Sequence, residues 1–291
     1  MGIPLSTLAP VLWTDLGIQT AAFAISAPLK TEKFYDVSGS LTYAACIAVS
    51  VLARRAPSQS FAKAWASTHL RQKIVSTCAL AWCTRLGLFL GYRVYEHGKD
   101  ARFDKVKTDP LKFSVYWGLQ AFWIFVTALP VYVINILPVA RHAHFGLLDR
   151  FGLGVWALGF AFEAISDAQK LMWQHRIGPD RRKTEFIHEG LWSLSRHPNY
   201  FGEITLWVGN WIMCASAFRS AGLVGLRSAG ILAISPIFVA GLICGLSGIP
   251  ILEKSSDRRF GHLAEYQMYK ERVPVFVPRL PFGKSAVEKE E

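Results

Sequence analysis

The chain has 291 residues, of which 52% are hydrophobic and 13% aromatic, and a formal net charge of +11. That is more apolar surface than a soluble domain of this size needs, and it points to a multispanning membrane protein. The positive charge reads as basic loops on one side of a bilayer, so no nucleic-acid partner is expected. Cys46, Cys78, Cys83, Cys214 and Cys244 all lie in apolar runs and form no CxxC pair. Neither a disulfide framework nor a metal site is expected from them.

In chain order, seven apolar runs approach the roughly 20 residues needed to cross about 30 Å of hydrocarbon. They cover 8–28, 37–53, 74–92, 115–138, 151–167, 200–218 and 229–252. The expected class is therefore all-α, a polytopic membrane protein of about seven transmembrane helices. It would sit in the endoplasmic reticulum if eukaryotic and in the inner membrane if bacterial. Alternating the runs across the bilayer puts 22 Lys and Arg on one side and 9 on the other, with Arg85 inside the third run. The positive-inside rule then places the C-terminus in the cytosol and the N-terminus outside, which suits an odd number of spans, five as well as seven. The first lysine is Lys30, so the first run lacks a basic n-region and is expected to remain as a helix. Residues 1–281 are expected to form a single transmembrane domain, followed by a disordered tail over 282–291.

Charged residues inside such runs are costly and usually face a cavity or a partner. In "GFAFEAISDAQKLMWQHR", Glu163, Asp167, Lys170 and Gln174 are spaced four, three and four apart. That spacing makes one narrow helical stripe. Asp167 and Lys170 could simply pair at the interface; Glu163 lies a turn deeper. In "SRHPNYFGE", Pro198 suits the first turn of a helix with His197 near its N-cap. Asn199, Glu203, Trp207 and Asn210 then share one face. Arg196 and His197 fall at the positive end of that helix, where an anion such as a phosphate is favoured. An interfacial arginine and an aromatic belt explain Arg196 and Trp207 but not Glu203 inside the span, which favours a pocket. Further on, Phe260, Leu263, Tyr266 and Tyr269 recur at helical spacing beside Arg258, Arg259 and His262. They read either as an amphipathic helix on the membrane surface or as a lid with phosphate-binding arginines. Arg85, inside its run, needs a counter-ion, which Glu163 or Glu203 could supply.

Together "GFAFEAISDAQ", "GLWSLSRHPNYFGEITLWVGNW" and "SGIPILEK...EYQMYKERVPVFVP" resemble the steroid 5α-reductase family, most closely its branch carrying the SRHPNYFGE motif. The resemblance runs from about Trp82 to Pro278. It implies seven membrane helices and NADPH bound by the C-terminal helices and loops. The implied reaction reduces a carbon–carbon double bond conjugated to a carbonyl, in a lipid or sterol-like substrate. It assigns Asp167, Asn199, Glu203 and Trp207 to family cofactor-contacting positions, with Glu163 in place of the family's asparagine. Arg176, Arg196, His197, Tyr200, Arg258, Arg259 and Tyr266 join them as expected cofactor-binding residues, with Lys170, His175 or Arg176 standing in for family arginines that are out of register. The tyrosine that polarises the carbonyl in the family corresponds to Trp82, so the acid is expected at Tyr43 or Tyr92 instead. The "RHPxY" pattern of Arg196, His197, Pro198 and Tyr200 also resembles isoprenylcysteine carboxyl methyltransferases, which bind S-adenosylmethionine. A non-catalytic lipid-binding relative is a third reading.

Overall fold

The computed structural model describes residues 5–53, 55, 56, 58–97, 103–182, 184–219 and 222–279. The tail expected over 282–291 lies outside the described residues. Among the described residues the regular structure is helical, without a strand. In order come α1 (Ala9–Ser26), α2 (Tyr35–Leu52), the short α3 (Phe61–Ala66) and α4 (Leu70–His97). Next are α5 (Pro110–Thr127), α6 (Leu129–Ile136), α7 (Leu147–Arg181) and α8 (Pro198–Ser216). The last four are α9 (Gly222–Leu232), α10 (Ile234–Gly241), α11 (Ile249–Phe260) and α12 (Ala264–Arg272). Local signals set several of these ends. Asp109 caps α5 by accepting the N–H groups of Leu111 and Lys112, and Pro110 follows at the first position, where its missing donor costs nothing. Gly178, at φ 74°, and Pro179 interrupt the end of α7.

Among the described residues, five helical stretches are long and apolar enough to cross a membrane: Ser6–Ser26, Tyr35–Leu52, Leu70–Glu96, Leu147–Arg181 and Val224–Phe260. The pair α5 and α6, bent by 52° at its break, makes a sixth if counted as one span. The run at 200–218 does form a helix, α8, but Asn199, Glu203 and Asn210 leave it less apolar than the others. The faces are inverted relative to a soluble protein. Trp13, Leu88, Leu226, Ile237 and Leu246 are 67–73% exposed, while Asp15, Gln19, Thr42, Ser50, Ser76 and Asn135 are buried. Apolar surface of that extent outside, with polar groups inside, is the arrangement of an integral membrane protein.

The chain forms two compact units, each built from two segments. The first comprises residues 1–153 and 210–236. Within it α1 packs on α2 and α5, and α2 packs also on α4 and α6. The break between α5 and α6 falls just before Pro130, which cannot donate to a preceding turn; the Val126 carbonyl accepts instead from the Ala128 N–H, and the Thr127 carbonyl accepts from Ser235 Oγ. The far end of α6 is also satisfied. Gln72 Nε2 donates to the carbonyls of Ile134, Asn135 and Leu137 at 2.9–3.1 Å, and Asn135 Nδ2 donates to Ser50 and Ser76.

This unit also holds a fully buried ion pair. Arg71 meets Asp149 through Nε at 2.6 Å and Nη2 at 3.0 Å, and neither side chain is exposed. Arg71 donates as well to Ser216 Oγ and to the carbonyls of Ala143 and His144. Asp149 accepts in addition from Ser216 Oγ and the Gly146 N–H. A charge pair out of water persists only when its remaining hydrogen-bonding capacity is met in this way. Beside it, His69 and His142 stack at 4.7 Å.

The second unit comprises residues 154–209 and 237–291. It contains most of α7 and α8, the end of α10, a π-turn at Leu242–Leu246, α11 and α12. The polar residues singled out at 163–210 and 253–270 fall here, Asn210 excepted.

Candidate functional site

Two glycines build the floor of the site. A Cβ on Gly202 of α8 would lie 2.5 Å from Glu163 N and 2.6 Å from Gly159 O of α7. One on Gly159 would lie 2.4 Å from Leu206 N and 2.7 Å from Gly202 O. The two helices therefore cross backbone to backbone, which small residues alone permit. The close approach brings one face of α7 against one face of α8. Glu163 and Asp167, 3% and 6% exposed, stand beside the start of α8, where Asn199 Nδ2 donates to Asp167 Oδ1 at 3.3 Å. Asn199 Oδ1 is buried and receives no hydrogen bond from the described residues. Tyr200 and Glu203 are half-buried on the same helix, and Trp207 is buried. Farther along α7, Lys170 Nζ lies 4.6 Å from the ring centre of Trp192, whose Nε1 donates to the Ser166 carbonyl.

The start of α8 forms as the sequence suggests. Helical structure begins at Pro198, the His197 carbonyl takes the first helical bond from Phe201, and the His197 N–H donates to Ser195 Oγ. Glu253 of α11 then serves two partners. Its Oε1 is 2.8 Å from His197 Nε2 and its Oε2 is 3.0 Å from Arg196 Nη2. Tyr200 stacks on the His197 ring at 5.8 Å with planes 14° apart.

Residues 260–269 close around an aromatic cluster. Phe186 contacts Phe260, Tyr266 and Tyr269 at ring distances of 5.1–5.8 Å. The phenols act as pins: Tyr266 Oη donates to Asp257 Oδ1 and Tyr269 Oη to the Trp192 carbonyl. Burial pushes both phenols well above the ordinary tyrosine range, so they remain neutral donors. Beyond α12 the chain bends back to the start of α8. Arg196 N–H donates to Pro274 O, Ser195 Oγ to Phe276 O, and Arg279 N–H to Leu194 O, at 2.8–2.9 Å. A cleft of about 450 Å³ opens beside this strap, with Arg196, Lys270, Arg272 and Arg279 in its wall.

The remaining expected residues are placed as follows. Arg176 pairs at the surface with Glu189. Arg258 is exposed, and Arg259 donates to the Arg182 carbonyl while lying over the Phe260 ring. In the first unit, Tyr43 is 1% exposed and meets Trp82 and Trp123 edge-on at 5.4 and 5.3 Å. Tyr92 is exposed on α4. Arg85 sits over the Phe89 ring. Sequence reasoning gave Glu253 no partner. The available signal was that it is the first acidic residue after Glu203, at the end of a long apolar run.

These features define an all-helical integral membrane protein with a buried acceptor-rich patch at a helix crossing and a cationic cleft nearby in the same unit. Residues 22–273 match the family described as "Protein of unknown function (DUF1295)", and the chain belongs to that family. No curated protein and no solved structure matches it.

Proposed function

We propose that the protein is a membrane-embedded, NADPH-dependent reductase of a carbon–carbon double bond conjugated to a carbonyl, in a lipid or sterol-like substrate. The observation that carries this reading is the buried, unfilled acceptor Asn199 Oδ1 beside Asp167 and Glu163. A buried acceptor left open by the protein calls for a donor from outside. Ribose hydroxyls and a carboxamide N–H, both present on a nicotinamide dinucleotide, are donors of that kind, so the residues fit the cofactor. Asp167 and Asn199 would accept these groups, with Glu163, Glu203 and Tyr200 around them. Arg258 and Arg259, on the same helix as Glu253, would take the phosphate end. When bound, NADPH supplies the hydride. The motif resemblance implies a donor that polarises the carbonyl, with Tyr43 and Tyr92 as its candidates; the Tyr43 ring is held by Trp82 and Trp123. The motif resemblance to steroid 5α-reductases supports the reaction class. The basic loops support a cytosolic C-terminus.

One observation favours the methyltransferase reading: Glu253 joins the Arg-His-Pro segment to a carboxylate on a later helix. A single experiment separates the two. Purified protein titrated with NADPH and with S-adenosylmethionine, followed by intrinsic tryptophan fluorescence, is expected to respond to NADPH. NADPH-dependent loss of an enone lipid, read by mass spectrometry, is then expected to disappear in Asn199→Ala. Saturable binding of S-adenosylmethionine without binding of NADPH would reject the reductase.

A further inference from the structure

We propose that the cleft beside the C-terminal strap holds the phosphate headgroup of an anionic phospholipid. This goes beyond the reductase reading and does not depend on it. The first ground is Arg196. Its side chain is 9% exposed, its Nη2 meets Glu253, and its Nε and Nη1 are buried with no acceptor among the described residues. Buried guanidinium donors without partners are rare, and an anion supplied from outside completes them.

The second ground is charge. Four cations line the cleft against one acid, Glu271. Lys270 is answered by Asp257 at 2.6 Å. Arg272 and Arg279 are exposed and have no ion-pair partner among the described residues. The third ground separates a lipid from a free phosphate. Phe276 turns inward onto Phe201, whereas Val275 and Val277 are 37% and 63% exposed in the wall of the cleft. A soluble anion has no use for two exposed valines beside its binding arginines. A phospholipid does, because its acyl chains continue from the phosphate. The fourth ground is position. The last apolar stretch ends at Phe260, so Lys270, Arg272 and Arg279 all follow within about 20 residues of it, the zone in which basic side chains meet anionic headgroups.

The test uses the full-length protein in mixed micelles with phosphatidic acid or phosphatidylcholine, and native mass spectrometry to count retained lipid. Wild type is expected to retain phosphatidic acid in preference to phosphatidylcholine. Each arginine contributes about fivefold to that preference. The Arg272→Gln/Arg279→Gln variant should therefore lose most of it, and Arg272→Lys/Arg279→Lys should restore it. Both positions are exposed, and unchanged thermal unfolding of the Gln variant is expected alongside. Equal retention of the two lipids, or a preference that survives in the Gln variant, overturns the proposal. So does binding of 2′,5′-ADP that the Gln variant abolishes while lipid retention stays unchanged, because the cleft then serves a soluble nucleotide. NADPH titration of the Gln variant is expected to match wild type, which keeps this outcome separate from the fate of the reductase reading.

Discussion

Replacing Gly202 by alanine is expected to damage the site through the helix crossing alone. The added Cβ falls 2.5 Å from Glu163 N and 2.6 Å from Gly159 O, whereas ordinary contact begins at 3.4 Å. Both obstacles are backbone, so no side chain can swing aside, and α8 must retreat by about 1 Å. Overpacking of this kind costs about 1–3 kcal/mol, against about 1 kcal/mol that alanine gains over glycine in helix propensity. The net effect is a Tm lower by a few degrees, at about 2–4 °C per kcal/mol for a chain of this size. Ligand binding should suffer more. The Asn199–Asp167 hydrogen bond, already 3.3 Å long, does not survive a further 1 Å, and NADPH affinity is expected to fall about tenfold or more. Gly154→Ala is the control. It lies on the facing helix, α7, has nothing within 4 Å of its added Cβ, and should leave binding unchanged while raising Tm slightly. Thermal unfolding by intrinsic fluorescence and NADPH titration, both in detergent, measure the two effects. If Gly202→Ala melts with Gly154→Ala and binds NADPH like wild type, the crossing does not set the site.

Three further outcomes are expected. Asp149→Asn leaves Arg71 fully buried with its charge unmatched, at a cost of about 3–5 kcal/mol; the paired replacement Arg71→Met/Asp149→Leu should be milder than Asp149→Asn alone, compared by Tm. Burial, then the like charges of His69 and Arg71, push His142 down from an ordinary 6.5 to about 4. The folded chain therefore binds this proton more weakly than the unfolded chain. The stability it contributes is present above pH 6.5 and lost as pH falls toward 4, and a Tm-against-pH curve should be shallower in that window for His142→Gln. Glu253→Gln removes the carboxylate shared by Arg196 and His197 and is expected to cost about 2 kcal/mol, seen as a Tm lower by about 4–8 °C.

Hydropathy makes the apolar helices visible because each one is a local property of its own residues. α8 is the instructive exception. Its start could be read from Pro198, yet Asn199, Glu203 and Asn210, which give it chemical interest, also weaken its apolar signal. The facing stripes of α7 and α8 could be read separately from four-residue spacing. Their apposition depends on Gly159 and Gly202, which look like any other glycines until the helices are placed together. Arg71 and Asp149 were hidden more deeply. They lie 78 residues apart, in stretches the sequence reads as charged loops, and such residues normally sit in water. Only the fold reveals that each is the other's reason for being buried. Glu253 is a similar case, since its pairing with Arg196 and His197 crosses 56 residues in the His197 contact.

The strap also has a consequence for synthesis. Ser195 donates to a carbonyl 81 residues later in the chain, and the backbone of Arg196 bonds to Pro274. At about 5–20 residues per second, translation leaves the segment before α8 without these partners for roughly 4–16 seconds. During that interval α7 and α8 can already cross through their glycines, whereas the wall carrying Arg272, Val275, Val277 and Arg279 has not been made. The helix crossing can thus form on the nascent chain, while the cleft can close only once residue 279 has been added and folded back onto Leu194.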